Sequence, residues 1–253
     1  MSNIFVIPDT QCRPGDDFEY LTNIGRYIVD KRPDVIVHLG DHWDMPSLSS
    51  YDVGKKAFEG RRYKADVQAG NEAMVALLEP LQDLNFQQRK NGKKQYRPRM
   101  VFTMGNHCNR INRAVENDPK LEGVLSVNDL DLTDWEVYGF TDVVVIDGVA
   151  FSHYFITGTA GRPASTATAQ LNKKHMSCVA GHQQGLQIAT ASRADGKRIT
   201  SVIAGSCYEH NEDYLGAQGN NHYRGALMLY DVADGEFNLV PVPIKYLNNK
   251  YGV

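Results

Sequence analysis

Three short apolar runs, NIFVIP (3–8), DVIVHLG (34–40) and RMVFTMG (99–105), each break off at a polar cluster. Runs of this length bounded by Gly and Pro read as buried strands. Between the first two, Phe18, Leu21, Ile24 and Ile28 recur at spacings of three and four, with acids before them, bases after them and Pro33 just beyond. That is the pattern of an amphipathic helix with complementary ends. A long Gly-, Ser- and Pro-containing loop follows the second run, and Val67, Met74, Leu78 and Leu81 then mark a second helix. The order β-α-β-α-β implies parallel strands joined by helical crossovers. Parallel strands deliver their carboxyl ends to one edge of the sheet, where ligands of α/β proteins bind.

The second half changes character. Asp147-Gly148, Asp195-Gly196 and Asp234-Gly235 each sit between apolar or alternating runs, and each reads as a hairpin turn. A helix around ASTATAQLNKK (164–174) interrupts this β-rich half. No repeat and no low-complexity linker divides the chain, so one domain over residues 1–253 is expected.

Bulk properties exclude some functions. A net charge of −3 does not suit a polycation built for duplex DNA. No stretch reaches the ~20 apolar residues of a membrane span. The opening MSNIFVIPDT carries no basic leader, so no signal peptide is expected. Cys12, Cys108, Cys178 and Cys207 show no CxxC spacing and read as free thiols in a reducing, cytoplasmic compartment.

The polar clusters carry the chemistry. The first strand ends in Asp9 and Gln11, the second in Asp41, His42 and Asp44, and the third in Asn106, His107 and Arg110. His153 ends the strand after the Asp147-Gly148 turn, and His182 follows the run SCVAG. Each residue taken singly is an ordinary turn or core residue. Together, carboxylate, amide oxygen and imidazole make a donor set for Mn²⁺, Fe or Zn²⁺, or for Mg²⁺ and Ca²⁺ where histidines are fewer. One aspartate can bridge two ions about 3.5–4 Å apart, and such a pair activates a water and clamps a phosphoryl group. A histidine outside the ligand set can protonate the leaving oxygen. His38, inside the second apolar run, reads as a core residue. Cys12 and Cys108 directly follow candidate residues, and side chains adjacent on extended backbone point to opposite faces, so neither reads as a ligand.

The order D-x-Q … GDxxD … GNH … H … GHxx, spanning residues 9–184, resembles the calcineurin-like metallophosphoesterase superfamily. GNHCNRINR (105–113) and GSCYEHNEDYLGAQGNNHYRG (205–225) most resemble its bacteriophage-encoded members, which would place the protein in a host cytoplasm. The resemblance implies an α/β fold, a four-layer α-β-β-α sandwich of two mixed sheets with flanking helices. It implies two divalent ions, Mn²⁺ first, with Mg²⁺, Ca²⁺, Fe and Zn²⁺ open. Asp9 would bind the first ion, Asp41 both, and Asn106, His153 and His182 the second. His107 would donate the proton, with Asp44 holding its ring, and Arg110 would pair with a substrate phosphate or be salt-bridged on the surface.

Three positions depart from the family pattern. Gln11 stands where a histidine is usual, Gln184 replaces the second histidine of the last motif, and Cys108 stands where an acid often follows GNH. Gln11 and Gln184 fall on the same ion. Some members of the family with Gln at the first position remain enzymes. An amide oxygen is harder than imidazole, so a weaker first site biased toward Mn²⁺, Mg²⁺ or Ca²⁺ is expected.

The expected activity is hydrolysis of a phosphodiester in nucleic acid or a nucleotide. A phosphomonoesterase or protein phosphatase is the alternative, and a catalytically weak phosphate- or partner-binding protein is the alternative of another class. The loop 45–64 leaves the GDHWD motif with Lys55, Lys56, Arg61, Arg62 and Lys64 interleaved with Tyr51, Phe58 and Tyr63. It reads either as an exposed flap or as an entrance that stacks bases beside a polyanion. The basic stretch 89–99 has the composition of a nucleic-acid patch, but it precedes the third strand and so belongs at the opposite end of the sheet, where a solvated loop is the preferred reading. The loop 207–225 holds His210, His222 and Arg224 and is either a structural Ω-loop or a cover for the site, with His222 contacting substrate.

Overall fold

A computed structural model describes residues 1–212 and 215–252, with the backbone alone for Ala57. Its first sheet runs β1 (Ser2–Ile7), β2 (Val35–His38), β3 (Arg99–Thr103) and β4 (Glu136–Tyr138), all mutually parallel. Crossovers pass through α1 (Glu19–Lys31), α2 (Tyr63–Lys90) and α3 (Arg110–Asn117). The second sheet takes β5 (Val144–Ile146), β6 (Val149–Ser152), β7 (Cys178–Ala180), β8 (Gln187–Ser192) and β9 (Arg198–Ile203), in the order β5-β6-β7-β9-β8. Here β6, β7 and β9 are parallel, with antiparallel edges on both sides. The chain then returns to the first sheet. β10 (Gly225–Ala233) pairs antiparallel with β1 and β11 (Glu236–Pro243) with β10, so both sheets are mixed.

The two-residue period of a strand separates the layers. In β1, Ile4 and Val6 join the cluster shared with Phe151, Val179 and Val202 of the second sheet, while Phe5 and Ile7 face Leu21 and Ile24 of α1 and Leu77 of α2. Val101 and Phe102 of β3 divide the same way. The outer face of the first sheet is covered by α1, α2 and the closing helix Ile244–Tyr251, and that of the second by α4 (Ala167–Lys174). The architecture is the expected α-β-β-α sandwich, with one outer layer much thinner than the other. α1 and α2 meet closely at Gly25, where a Cβ would lie 2.4 Å from the Leu77 carbonyl oxygen.

Several elements differ from the sequence reading. α2 runs to Lys90, so Arg89 and Lys90 of the basic stretch form its last turn and not a loop. The rest of that stretch lies at the amino end of β3, opposite the strand ends that carry the polar clusters. Asp147-Gly148 and Asp234-Gly235 are left-handed at both positions, as a two-residue I′ hairpin requires. Asp195-Gly196 is left-handed only at Gly196, and the Arg193–Lys197 backbone pair closes a three-residue loop instead. The strand β4 and the helix α3 are additions. No helix among the described residues is long and apolar enough to cross a membrane.

Candidate metal centre

The carboxyl ends of β1, β2 and β3 from one sheet and of β6 and β7 from the other meet at one edge. Asp41, His153 and His182 each bring a ligand atom within 4.8 Å of the others. His153 Nε2 lies 3.2 Å from Asp41 Oδ2 and 2.9 Å from Asn106 Oδ1. Its Nδ1–H donates to the Leu39 carbonyl (2.7 Å), which turns Nε2 toward the cluster. This is how metal-bound histidines are commonly oriented. The His182 backbone N–H donates to Asp9 Oδ1 (2.9 Å), which brings Asp9 to the same edge. Asp9 is 2 % and Asp41 1 % exposed.

Local backbone is bent to achieve this. Gln11, Asp41 and His182 are left-handed, with φ of 41°, 47° and 68°. Such non-glycine residues cost on the order of 1–3 kcal/mol each and gather at functional sites. Glycines supply the close approaches: a Cβ on Gly105 would lie 2.0 Å from Asp41 Oδ1, and one on Gly181 2.4 Å from Asp9 Oδ1.

The electrostatics describe a place for a cation. Burial raises Asp41, but the charges of His153 and His107 outweigh it and hold its carboxyl below the ordinary 3.8. Burial pushes His153 down, but Asp41 outweighs it and lifts the imidazole to about 9. Asp9 is raised to about 6 by burial, with Asp41 adding to the rise and His153 opposing it. His182 is lowered to about 4 by burial and by His153. The proton on His153 balances buried carboxylate charge that a divalent ion would balance instead. The donors are carboxylate, imidazole and amide oxygen, so the residues present fit such an ion.

His107 stands beside this cluster. Its backbone N–H donates to Asp41 Oδ1 (2.7 Å), and its Nδ1 pairs with Asp44 Oδ1 at 2.7 Å. Burial lowers the imidazole, but Asp41 and the Asp44 hydrogen bond outweigh it and raise its pKa. Arg110 Nη1–H donates to the Asp44 and Met45 carbonyls (2.7 and 3.2 Å), and Nη2 lies 3.1 Å from His107 Nε2.

No protein-family model matches the chain. Curated relatives include the Gene 54 proteins of Mycobacterium phages L5 and D29, 40% identical over 81 residues and 36% over 80. These matches cover 32% of this chain and 30% and 31% of the relatives, so the chain spans under a third of their length. Similar solved structures include a conserved Streptococcus pneumoniae TIGR4 protein described as a predicted phosphoesterase, with 11% identity, coverage of 96% of this chain and 90% of that one, and a TM-score of 0.41. YfcE, a phosphoesterase from E. coli, shows 13% identity over 96% of this chain and 99% of its own, with a TM-score of 0.38. A likeness this loose says nothing about the site.

A cleft of about 1060 Å³ opens beside His107, lined by Gln11, Arg13, Asp44, Arg110 and Glu212 among others. The loop 45–64 forms one wall with Tyr51, Lys55, Arg61 and Arg62, while Lys56, Phe58, Tyr63 and Lys64 lie outside the lining. Tyr63 instead bonds Asp129 (2.5 Å). Five Arg or Lys side chains line the cleft against five Asp or Glu. Arg61 and Lys55 are tied to Asp52 at 2.7 and 3.2 Å. The entrance is therefore charge-balanced, which does not match the basic entrance, one of the two sequence readings of loop 45–64, the other being an exposed flap.

Two sequence candidates make hydrogen bonds around the 207–225 loop. Gln184 Nε2–H donates to the Tyr208 hydroxyl (3.3 Å) on the 207–225 loop. His222 contacts Ser206 Oγ and the Gly219 carbonyl, both at 2.9 Å, and lines a separate cavity of about 580 Å³. Residues 213 and 214 of that loop lie outside the described residues. The sequence reading missed Arg13, whose Nη2 lies 2.7 Å from Glu212 Oε1 and whose Nε is 3.8 Å from Asp44 Oδ2. Its one signal is an arginine two residues after Gln11.

Proposed function

We propose that this protein is a metal-dependent phosphoesterase acting on a phosphodiester of a nucleotide or nucleic acid. The observation that supports it most is the meeting of Asp41, His153 and His182 within 4.8 Å, with the His107–Asp44 pair alongside. Asn106, His153, His182 and Asp41 would hold one divalent ion, and Asp9, Gln11, Asp41 and Gln184 a second, Mn²⁺ being the best match to the donors. Bound ions supply Lewis-acid activation of a water and neutralise phosphoryl charge. His107, oriented by Asp44, carries the proton for the departing oxygen. A protonated Nε2 and an Arg110 N–H cannot both point into a 3.1 Å contact. Arg110 therefore turns from His107 to the substrate phosphate when His107 carries its proton. The charge-balanced cleft favours a compact ester with one phosphate over a long polyanion. A single domain fits the hydrophobic cluster that the two sheets share, and four buried free thiols suit a cytoplasmic setting.

Hydrolysis of bis-p-nitrophenyl phosphate with and without Mn²⁺, beside His107→Ala, tests this. The wild type should turn over with Mn²⁺, and the variant should lose about 10²- to 10⁴-fold. No turnover that depends on both the ion and His107 would leave a phosphate- or partner-binding protein as the better reading. Faster turnover of the mono-ester would make it a phosphatase.

A further inference from the structure

Three polar side chains beneath the candidate centre take no part in the proposed chemistry: Thr10, His38 and His42, each 0 % exposed. Their hydrogen bonds have one direction. The Gly40 N–H donates to His38 Nδ1 (3.2 Å), so His38 carries its proton on Nε2 and donates to Thr10 Oγ1 (3.3 Å). His42 Nε2 faces the Gly70 carbonyl at 2.9 Å and must donate there, so His42 Nδ1 accepts from the Thr10 hydroxyl at 2.8 Å. Burial lowers both imidazoles, His42 to about 4, which keeps the pair neutral. Thr10 thus receives one hydrogen bond and gives one, in a chain running from β2 through the turn after β1 to the turn after β2, and ending on α2.

The placement of this chain matters. Thr10 lies between Asp9 and Gln11, and His42 follows Asp41. Gln11 and Asp41 hold left-handed backbone that something must stabilise. Two backbone bonds, Gln11 N–H to the Asp41 carbonyl (2.8 Å) and Cys12 N–H to the His42 carbonyl (2.7 Å), already join the turns. The chain anchors them to α2 at Gly70, where a Cβ would lie 1.8 Å from Trp43 Cδ1, so that only glycine lets Trp43 pack there. Replacing hydrogen-bonded partners together by apolar side chains of the same shape can be nearly neutral for stability. What they cannot supply is a fixed direction.

We propose that Thr10 and His42 are positioning residues whose buried hydrogen bond sets the spacing between the Asp9–Gln11 turn and Asp41, and so the affinity of the ion held on the Asp9 side. The inference rests on the proposed metal centre. Calorimetric titration with Mn²⁺, together with thermal unfolding, of the wild type, Thr10→Val and Thr10→Ser tests it. Thr10→Val keeps the shape and removes the hydroxyl. It should weaken the weaker ion about 10- to 100-fold, the range for outer-shell partners, and leave the tighter ion unchanged. Thr10→Ser should restore wild-type binding. A wild type that takes up the tighter ion alone leaves no Asp9-side ion for this bond to tune and overturns the proposal. Thr10→Val titrating like the wild type overturns the proposal and leaves the metal centre standing. Equal weakening of both ions in step with a lower Tm, unrescued by Thr10→Ser, reduces Thr10 to a fold residue. A wild type that takes up no ion removes the metal centre and this role together.

Discussion

The two sides of the candidate centre are built differently. Around Asp41 the polar groups are locked into one another: His153 bonds Leu39, Asn106 and Asp41, and the His107 backbone bonds Asp41 again. On the Asp9 side, Gln184 turns to Tyr208, and the neutral amide of Gln11 lines the open cleft. Tyr208 stacks on His210 at 4.2 Å, and His210 is held by Asp16 and Glu212 (3.3 and 2.9 Å). One side rests on buried strand ends, and the other leans on a loop fastened by ion pairs. The difference predicts unequal ions, a tight one and an adaptable one.

The two sides meet at Asp41. Asp41→Asn should cost ion affinity by more than the ~10–100-fold typical of outer-shell partners and should affect both ions, because the proposed centre shares this carboxylate between them. Calorimetry reads this directly, and a variant that keeps one ion at full affinity would show that Asp41 does not bridge. Gln11→His with Gln184→His should act on the Asp9 side alone. Two imidazoles would soften the Asp9 side and shift it toward Zn²⁺. Competition between Zn²⁺ and Mn²⁺ should move by about 10-fold or more, the scale of a 1.4 kcal/mol change. An unchanged preference would mean that these side chains do not reach an ion.

The smallest effect is on pH. Burial lowers His210, but the hydrogen bonds to Asp16 and Glu212 outweigh it and raise its pKa above 6.5. The bonded imidazolium therefore stabilises the fold fully below about pH 6.5, and that contribution disappears as pH rises through the raised value. In chelator-treated protein, the difference in Tm between wild type and His210→Gln should shrink above pH 6.5. A difference that stays constant with pH would show that the loop is not fastened this way.

Much of this was legible in the chain because it is written locally. Short apolar runs fixed the central strands, and Asp147-Gly148 fixed its hairpin through left-handed backbone that only such residues adopt cheaply. The residues meeting at the edge were legible because each follows its strand directly. Other features were hidden for physical reasons. β4 reads EVY with two of its three residues exposed, so no apolar run marks it. The Arg13–Glu212 pair joins residues 199 apart in sequence. The charge balance of the cleft depends on which carboxylates from distant segments arrive there. His38 read as a core residue, and it is one, but its partner Thr10 lies 28 residues away on another turn.

Anomalous diffraction from a crystal soaked in Mn²⁺ reads the inequality of the two sides without an intermediary. Unequal sides predict a strong peak among Asp41, His153 and His182 and a weaker one beside Asp9 and Gln11. Two peaks of equal, full occupancy, or no peak at all, would contradict it.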